Sequence, residues 1–220
     1  MKQPRSFHGR FSTLAAGKNL FSNGESARIF LWLACLVGFM IAASARAQVD
    51  IFMSVGGLPA PIGANPQTAP TLKGDSTDIQ YPKWIRLNSA QLGVGRNISL
   101  NAGTVSASNP SVSEVSITKV TDSTTPSLYT LVCGGTATVT QPIDYVTIDF
   151  RKSGTPEVFY RLQLQHVYVS GVSTSGGGDV PSESLSLFYT KVSWTYVPYQ
   201  NGKGGTAITK GWDVVKNSGF

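Results

Sequence analysis

The chain has 220 residues, which suits one large domain or two small ones. At 41% hydrophobic and only 14% charged residues, it is too apolar for disorder and falls short of the ~25% charge usual in globular proteins. Its net charge of +6 would ordinarily suggest nucleic acid or an anionic membrane as partner. However, residues 1–47 carry six basic side chains against Glu25 alone, leaving twelve basic and eleven acidic over 48–220. That near-neutral remainder lacks the electrostatic footprint of a nucleic-acid-binding domain.

The first predicted element is a leader. Arg28 and Arg46 bracket an uncharged run, Ile29 to Ala45, which ends in small residues and Ala47. A basic flank, an apolar centre and an Ala45-Arg46-Ala47 end predict a secretory signal cut before Gln48. Two other readings stay open. An uncleaved anchor would use a run at the lower limit for spanning a bilayer. An unused leader or a misplaced start would explain the long segment ahead of the run. Any membrane contact would come through this leader. Domain organisation is therefore 1–47 leader and 48–220 domain.

Gln48 to Val55 alternates with Val49, Ile51, Met53 and Val55 on one face, predicting a strand that Gly56-Gly57 ends. Gly57 to Asp75 holds Pro59, Pro61, Pro66 and Pro70 without apolar periodicity and reads as a long loop. Trp84 to Leu87 and Gln91 to Leu100 are short strand candidates, the second weakened by Gly93 and Gly95. Ser111 to Val120 sets Val115 and Ile117 on one face. Between strands, Thr125 as N-cap, Pro126 at the first helical position, the stripe Leu128, Leu131, Val132 and the terminal Gly134-Gly135 predict one short helix.

Tyr145 to Phe150 points Val146, Ile148 and Phe150 inward. Glu157 to Val172 is the longest strand signal, and its apolar parity switches at Gln165-His166, predicting a bulge or a strand that bends from one sheet to another. Ser184 to Val197 places Phe188, Val192, Trp194 and Tyr196 on one face and Leu185, Leu187 and Tyr189 on the other, as if both were covered. The fold class is all-β with one short α-helix, closed as a barrel or a sandwich.

No catalytic, cofactor or metal residues are assigned. With Cys35 and His8 in the leader, the domain keeps only Cys133 and His166, too few for a disulfide or a structural zinc site. Cys133 reads as a small buried thiol at the end of the helix, and His166 as a strand histidine bonded to a neighbour. Asp144, Asp149 and Glu157 raise a glycosidase pair, but Asp144 and Asp149 are an odd number apart and so face opposite sides of one strand. Gly176-Gly177-Gly178 lacks the following Lys-Ser/Thr of a phosphate loop and reads as a hairpin loop. Trp194, Tyr196 and Tyr199 offer stacking surfaces without a basic stripe. Asn97-Ile98-Ser99 fits the glycosylation pattern with low specificity.

A set of ordered segments carries a resemblance: Val49-Asp50-Ile51-Phe52-Met53, Ser116-Ile117-Thr118-Lys119 with Asp122 and Pro126, Leu131-Val132-Cys133-Gly134-Gly135, Val167-Tyr168-Val169-Ser170-Gly171-Val172-Ser173, Pro181 to Leu187, Lys191-Val192, and Gly211-Trp212-Asp213. From Val49 onward the sequence resembles the haemolysin-coregulated protein family, Hcp, which forms the inner tube of the bacterial type VI secretion system. The resemblance implies a β-barrel of two antiparallel sheets with one short α-helix, and a structural, non-catalytic role. It also implies hexameric rings of the chain with itself, stacked into a tube, with the spike, sheath and effector proteins of the apparatus as partners and secretion as destination. The loops Gly57 to Asp75 and Ser173 to Pro181 are then expected at contacts between copies. The leader departs from the family pattern, because family members assemble in the cytoplasm. The competing reading is an exported monomeric β-domain binding a carbohydrate or protein ligand.

Overall fold

The computed structural model describes residues 48–64, 67–136 and 139–220. The leader expectation therefore lies outside the described residues. Among the described residues, sixteen strands and one helix follow in order: β1 (Val49–Val55), β2 (Ile85–Leu87), β3 (Ser89–Gln91), β4 (Val94–Gly95), β5 (Ile98–Asn101), β6 (Thr104–Ala107), β7 (Ser111–Val112), β8 (Val115–Val120), α1 (Thr125–Val132), β9 (Ile143–Lys152), β10 (Val158–Ser175), β11 (Ser182–Phe188), β12 (Lys191–Tyr196), β13 (Tyr199–Gln200), β14 (Lys203–Gly204), β15 (Ile208–Asp213) and β16 (Ser218–Gly219).

All the pairings are antiparallel. One sheet runs β16-β15-β12-β10-β9-β1-β2, and the other runs β10-β11-β8-β3. Strand β10 belongs to both. It pairs β12 through Tyr160 to Gln165 and β11 from Tyr168 onward, and between them His166 takes φ +49°. The parity switch in the sequence is this bend. On the far side, β2 and β3 are separated by Asn88 alone, whose N–H donates to the Thr118 carbonyl at 2.7 Å. One sheet edge thus passes directly into the other and closes the barrel.

The core lies between the sheets, with Met53, Val55, Ile85, Val115, Ile117, Ile148, Leu162, Leu164, Leu185, Leu187 and Val192 all buried. The helix closes one side by burying Leu128 and Leu131, each contributing roughly 1.5–3 kcal/mol. Gln141 ties it to β10, donating from Nε2 to the Leu131 carbonyl at 2.7 Å and accepting from the Val169 N–H at 3.0 Å. Gly134 follows at φ +73°, the left-handed conformation predicted for it.

Four expectations need correction. The N-cap is Thr124, one residue earlier than expected, because Asp122 accepts from the Thr124 N–H at 2.9 Å and starts the turn there. Val132 is 39% exposed and Cys133 is an exposed thiol, since an eight-residue helix has turned its end away from the barrel by that point. Ser184 to Val197 is two strands with a turn at Tyr189-Thr190. The chain changes sheet there, so Leu187 and Val192 both point inward while Phe188 faces out at 46% exposure. Ser173 to Ser175 extend β10, which confines the glycine-rich hairpin loop to 176–181.

Candidate functional site

Residues 57–64 and 67–84 form a strap over the outer face of β1, β9 and β10, and a charged network holds it there. Arg161 on β10 donates from Nε to Asp149 Oδ1 at 2.6 Å and from Nη2 to Oδ2 at 2.7 Å, a bidentate pair. The same guanidinium reaches into the strap, donating to the Ala60 carbonyl at 2.9 Å and to Gln67 Oε1 at 3.3 Å. Tyr81 donates its phenol to Asp149 at 3.1 Å. Burial, then the Asp149 carboxylate, pushes that phenol well above its ordinary range, so it stays a neutral donor.

A second arginine completes the fastening. Arg151 on β9 donates to Asp78 at 2.7 Å and to Asp50 at 3.1 Å, with its guanidinium 4.9 Å over the Phe52 ring. Phe52 stacks on Tyr81, which meets Trp84 edge-on, and with Val158 these form a satellite core. Asp78 is partly buried, which raises its pKa, but hydrogen bonds from Arg151 and from the Gln80 and Tyr81 N–H groups outweigh that and hold it below the ordinary value. A carboxylate with a lowered folded-state pKa stabilises the fold above its unfolded value, near pH 4, and loses that contribution as pH falls through the folded value. Acid titration followed by circular dichroism is therefore expected to show wild-type stability falling below about pH 4 more steeply than that of Asp78→Asn.

A third buried charge sits between β8 and β11. Lys119, paired in register with Glu183, places Nζ 2.7 Å from Glu183 Oε2 and 2.9 Å from Asp122 Oδ1 with no exposure of its own. The contact to Glu183 is ionic and lacks hydrogen-bond alignment. A charged side chain in the middle of an alternating strand was the available signal for Lys119, Arg151 and Arg161. Sequence reasoning passed over all three, because their partners lie 12 to 101 residues away for the arginines and 64 for Glu183.

The sequence candidates do not converge. Asp149 is consumed by Arg161. Asp144 is exposed, about 17 Å of strand away, and Glu157 faces Lys152 at 3.7 Å. His166 is exposed with Nδ1 3.2 Å from Thr190 Oγ1, the neighbour-bonded strand histidine expected. Trp194 packs partly against the core while Tyr196 is half exposed. Asn97 stands on an exposed segment.

That segment is the most unusual part of the molecule. Residues 92–113 leave the barrel as a two-stranded arm, with β4 paired to β7 and β5 to β6. Its tip turns through Ala102 and Gly103, both at positive φ, the primed turn whose twist suits a hairpin. The register places Ile98 opposite Ala107 and Leu100 opposite Val105 on one face, and Ser99 opposite Ser106 on the other. Ile98, Leu100 and Val105 are 64–68% exposed. Arg96 is the arm's one charged residue. At its root, Ala90, Leu92 and Val94 join Phe150, Tyr160, Leu162 and Trp194 around an open pocket of about 430 Å³ at the mouth of the barrel. Among the described residues no group of His, Cys, Asp and Glu is placed to hold a metal ion.

A family model described as "Type VI secretion system effector, Hcp" matches residues 52–196, spanning both sheets, the arm and the helix. The chain belongs to the Hcp family. No curated protein sequence matches it. Among solved structures, one described as a type six secretion system protein shares 25% identity at TM-score 0.65, covering 79% of this chain and all of the other. Hcp1 from Salmonella typhimurium shares 22% at TM-score 0.59, covering 78% and 99%. A type VI secretion system effector from Yersinia pestis shares 19% at TM-score 0.52, covering 74% and 99%. The Hcp fold is thus the barrel described above, and Hcp proteins are secreted components of that system. Strap and arm fall within the matched residues, as does the charged network apart from Asp50.

Proposed function

We propose that this Hcp chain is a structural, non-catalytic tube subunit whose copies close into hexameric rings and stack, with the exposed arm as the element that joins them. The arm carries the reading. An isolated two-stranded hairpin is marginal in water, and this one shows an apolar face and two unpaired edges to solvent, features that folded proteins cover. The aromatic pocket at the root of the arm is a second uncovered apolar surface. A chain bearing two different adhesive surfaces makes heterologous, head-to-tail contacts, which close into rings when the rotation allows. Near-neutrality over 48–220 fits a domain that meets its own kind, since interface cores are depleted of charge.

The strap is a poorer candidate for contacts between copies, although its length suggested them. Gln67, Leu72, Tyr81 and Trp84 are buried in their own chain, which leaves Leu58 and Ile79 as its exposed large apolar residues. Removing residues 60–72 would read out unfolding rather than assembly. The leader is proposed as a cleaved signal; mass spectrometry of the native N-terminus is expected to find Gln48 first, and a chain retaining 29–45 overturns that. For the tube itself, light scattering after size exclusion and negative-stain microscopy of the purified protein are expected to give six-subunit rings and short stacks. A monomer at all concentrations overturns the reading.

A further inference from the structure

Where β8 hands over to α1, three ionisable side chains meet in a site closed to water. Lys119 and Glu183 are cross-strand partners on β8 and β11, and both side chains have 0% exposure. Asp122, in the turn ahead of the helix, is 10% exposed. Lys119 Nζ donates to Asp122 Oδ1 at 2.9 Å, to the Val120 carbonyl at 2.8 Å and to Thr125 Oγ1 at 3.4 Å. It also lies 2.7 Å from Glu183 Oε2 without hydrogen-bond alignment, and among the described residues neither Glu183 oxygen has a hydrogen-bond partner. A buried carboxylate is normally hydrogen-bonded as well as paired, so ion pairing alone does not account for Glu183.

The site holds the parts that an acyl transfer needs. Nζ is a nucleophile fixed against a carboxyl group, which makes their condensation a unimolecular step. Asp122 Oδ1 accepts from the Thr124 N–H at 2.9 Å and from the Thr124 hydroxyl, two donors set by the start of the helix and aimed at the oxygen on which negative charge develops. Glu183, in contact with Nζ, is placed as general base and then general acid. We propose that Lys119 and Asp122 condense into an intramolecular isopeptide bond. Glu183 takes a proton from the ammonium, and the freed Nζ lone pair attacks Asp122 Cγ. Of its three protons Nζ keeps one; two pass through Glu183 to Oδ2, whose bond to Cγ breaks as water leaves. The resulting amide replaces a buried cation and anion by a neutral group, and exclusion of water protects it from hydrolysis. Ser123 extends the lock to the strap, donating from its N–H to Asp75 at 3.0 Å and from its hydroxyl to the Lys73 carbonyl at 3.1 Å. The bond forms once within each chain, so it stands apart from tube formation and turns over no substrate.

Mass spectrometry of the purified protein, followed by tryptic mapping, tests it. The wild type is expected to show a loss of about 18 Da, one water, from its sequence mass. Trypsin cuts only after a free Lys or Arg, so the peptides 97–119 and 120–151 should be replaced by one peptide 97–151 that carries the loss. The map thereby separates the bond from any ammonia loss at an N-terminal Gln48. Asp122→Asn condenses with release of ammonia instead, and its peptide 97–151 should be about 17 Da light. Glu183→Gln, with circular dichroism unchanged, should be cut after Lys119 and show no loss. A wild type of full mass that is cut after Lys119 overturns the proposal, and an undiminished loss in Glu183→Gln overturns the role of Glu183. Fragmentation of the wild-type peptide keeps the test decisive should that variant fail to fold: peptide 97–151 joined to peptide 162–191 puts the bond on Glu183 and overturns the assignment to Asp122.

Discussion

Arg161→Met is expected to cost about 3–5 kcal/mol of stability, because it strips the partner from a carboxylate that has no access to water. Asp149 has 0% exposure and receives both arms of the guanidinium as well as the Tyr81 phenol. Without Arg161 a buried negative charge is left with one neutral donor. The strap also loses its bonds at Ala60 and Gln67, so the damage extends from the sheet into residues 57–84. Asp149→Asn should fall in the same range, since it leaves the cation uncompensated. The double variant should lose clearly less than the sum of the two, the sign of a coupled pair in a mutant cycle. Urea unfolding followed by circular dichroism measures all three. A loss below about 1 kcal/mol for Arg161→Met, the scale of an exposed ion pair, would show that the bridge does not hold the strap.

Replacing Val94–Val112 by Asn-Gly is expected to abolish rings and stacks while leaving the barrel folded. Gly93 and Ser113 already face each other at the root, joined by a Ser113 N–H to Gly93 carbonyl bond of 2.9 Å and by the Gly93 N–H to the Ser113 hydroxyl at 2.9 Å. A two-residue turn can therefore close the gap, and shortening the excursion reduces its closure entropy. Of the replaced residues Val112 packs, partly buried, against the core, so the change in stability should stay within about 1–2 kcal/mol. Leu100→Asp with Val105→Asp, which charges the apolar face and leaves the hairpin in place, should give the same loss of assembly. Light scattering on the three proteins reads the result. Rings and stacks equal to wild type in the arm-deleted protein remove the arm from the assembly.

The strands around the charged network and the arm were plainer in the sequence than either feature. Alternation of Val146, Ile148 and Phe150 and of Val115 and Ile117 was readable because side chains in a strand alternate strictly between faces. The break at Gln165-His166 was equally readable, because a strand that leaves one sheet for another must reverse which parity points inward. The arm was only half legible. Gly93 and Gly95 weakened a strand signal at Gln91 to Leu100, and a ribbon exposed on both faces leaves no burial pattern to find. Cys133 was misjudged because a stripe of Leu128, Leu131 and Val132 does not tell where a two-turn helix lifts off its support.

By itself the sequence determined the class of the fold, the short helix with its glycine ending, the strand that bends between sheets, and the family, since each is written in local periodicity or in ordered short segments. Tertiary structure alone decided where the charges go. Arg151, Arg161 and Lys119 become buried fastenings only when strands and strap from distant parts of the chain close over them. It also decided which apolar residues stay in water, because exposure of Ile98, Leu100, Val105, Tyr168 and Phe188 depends on what the rest of the chain leaves uncovered, and no local pattern encodes that.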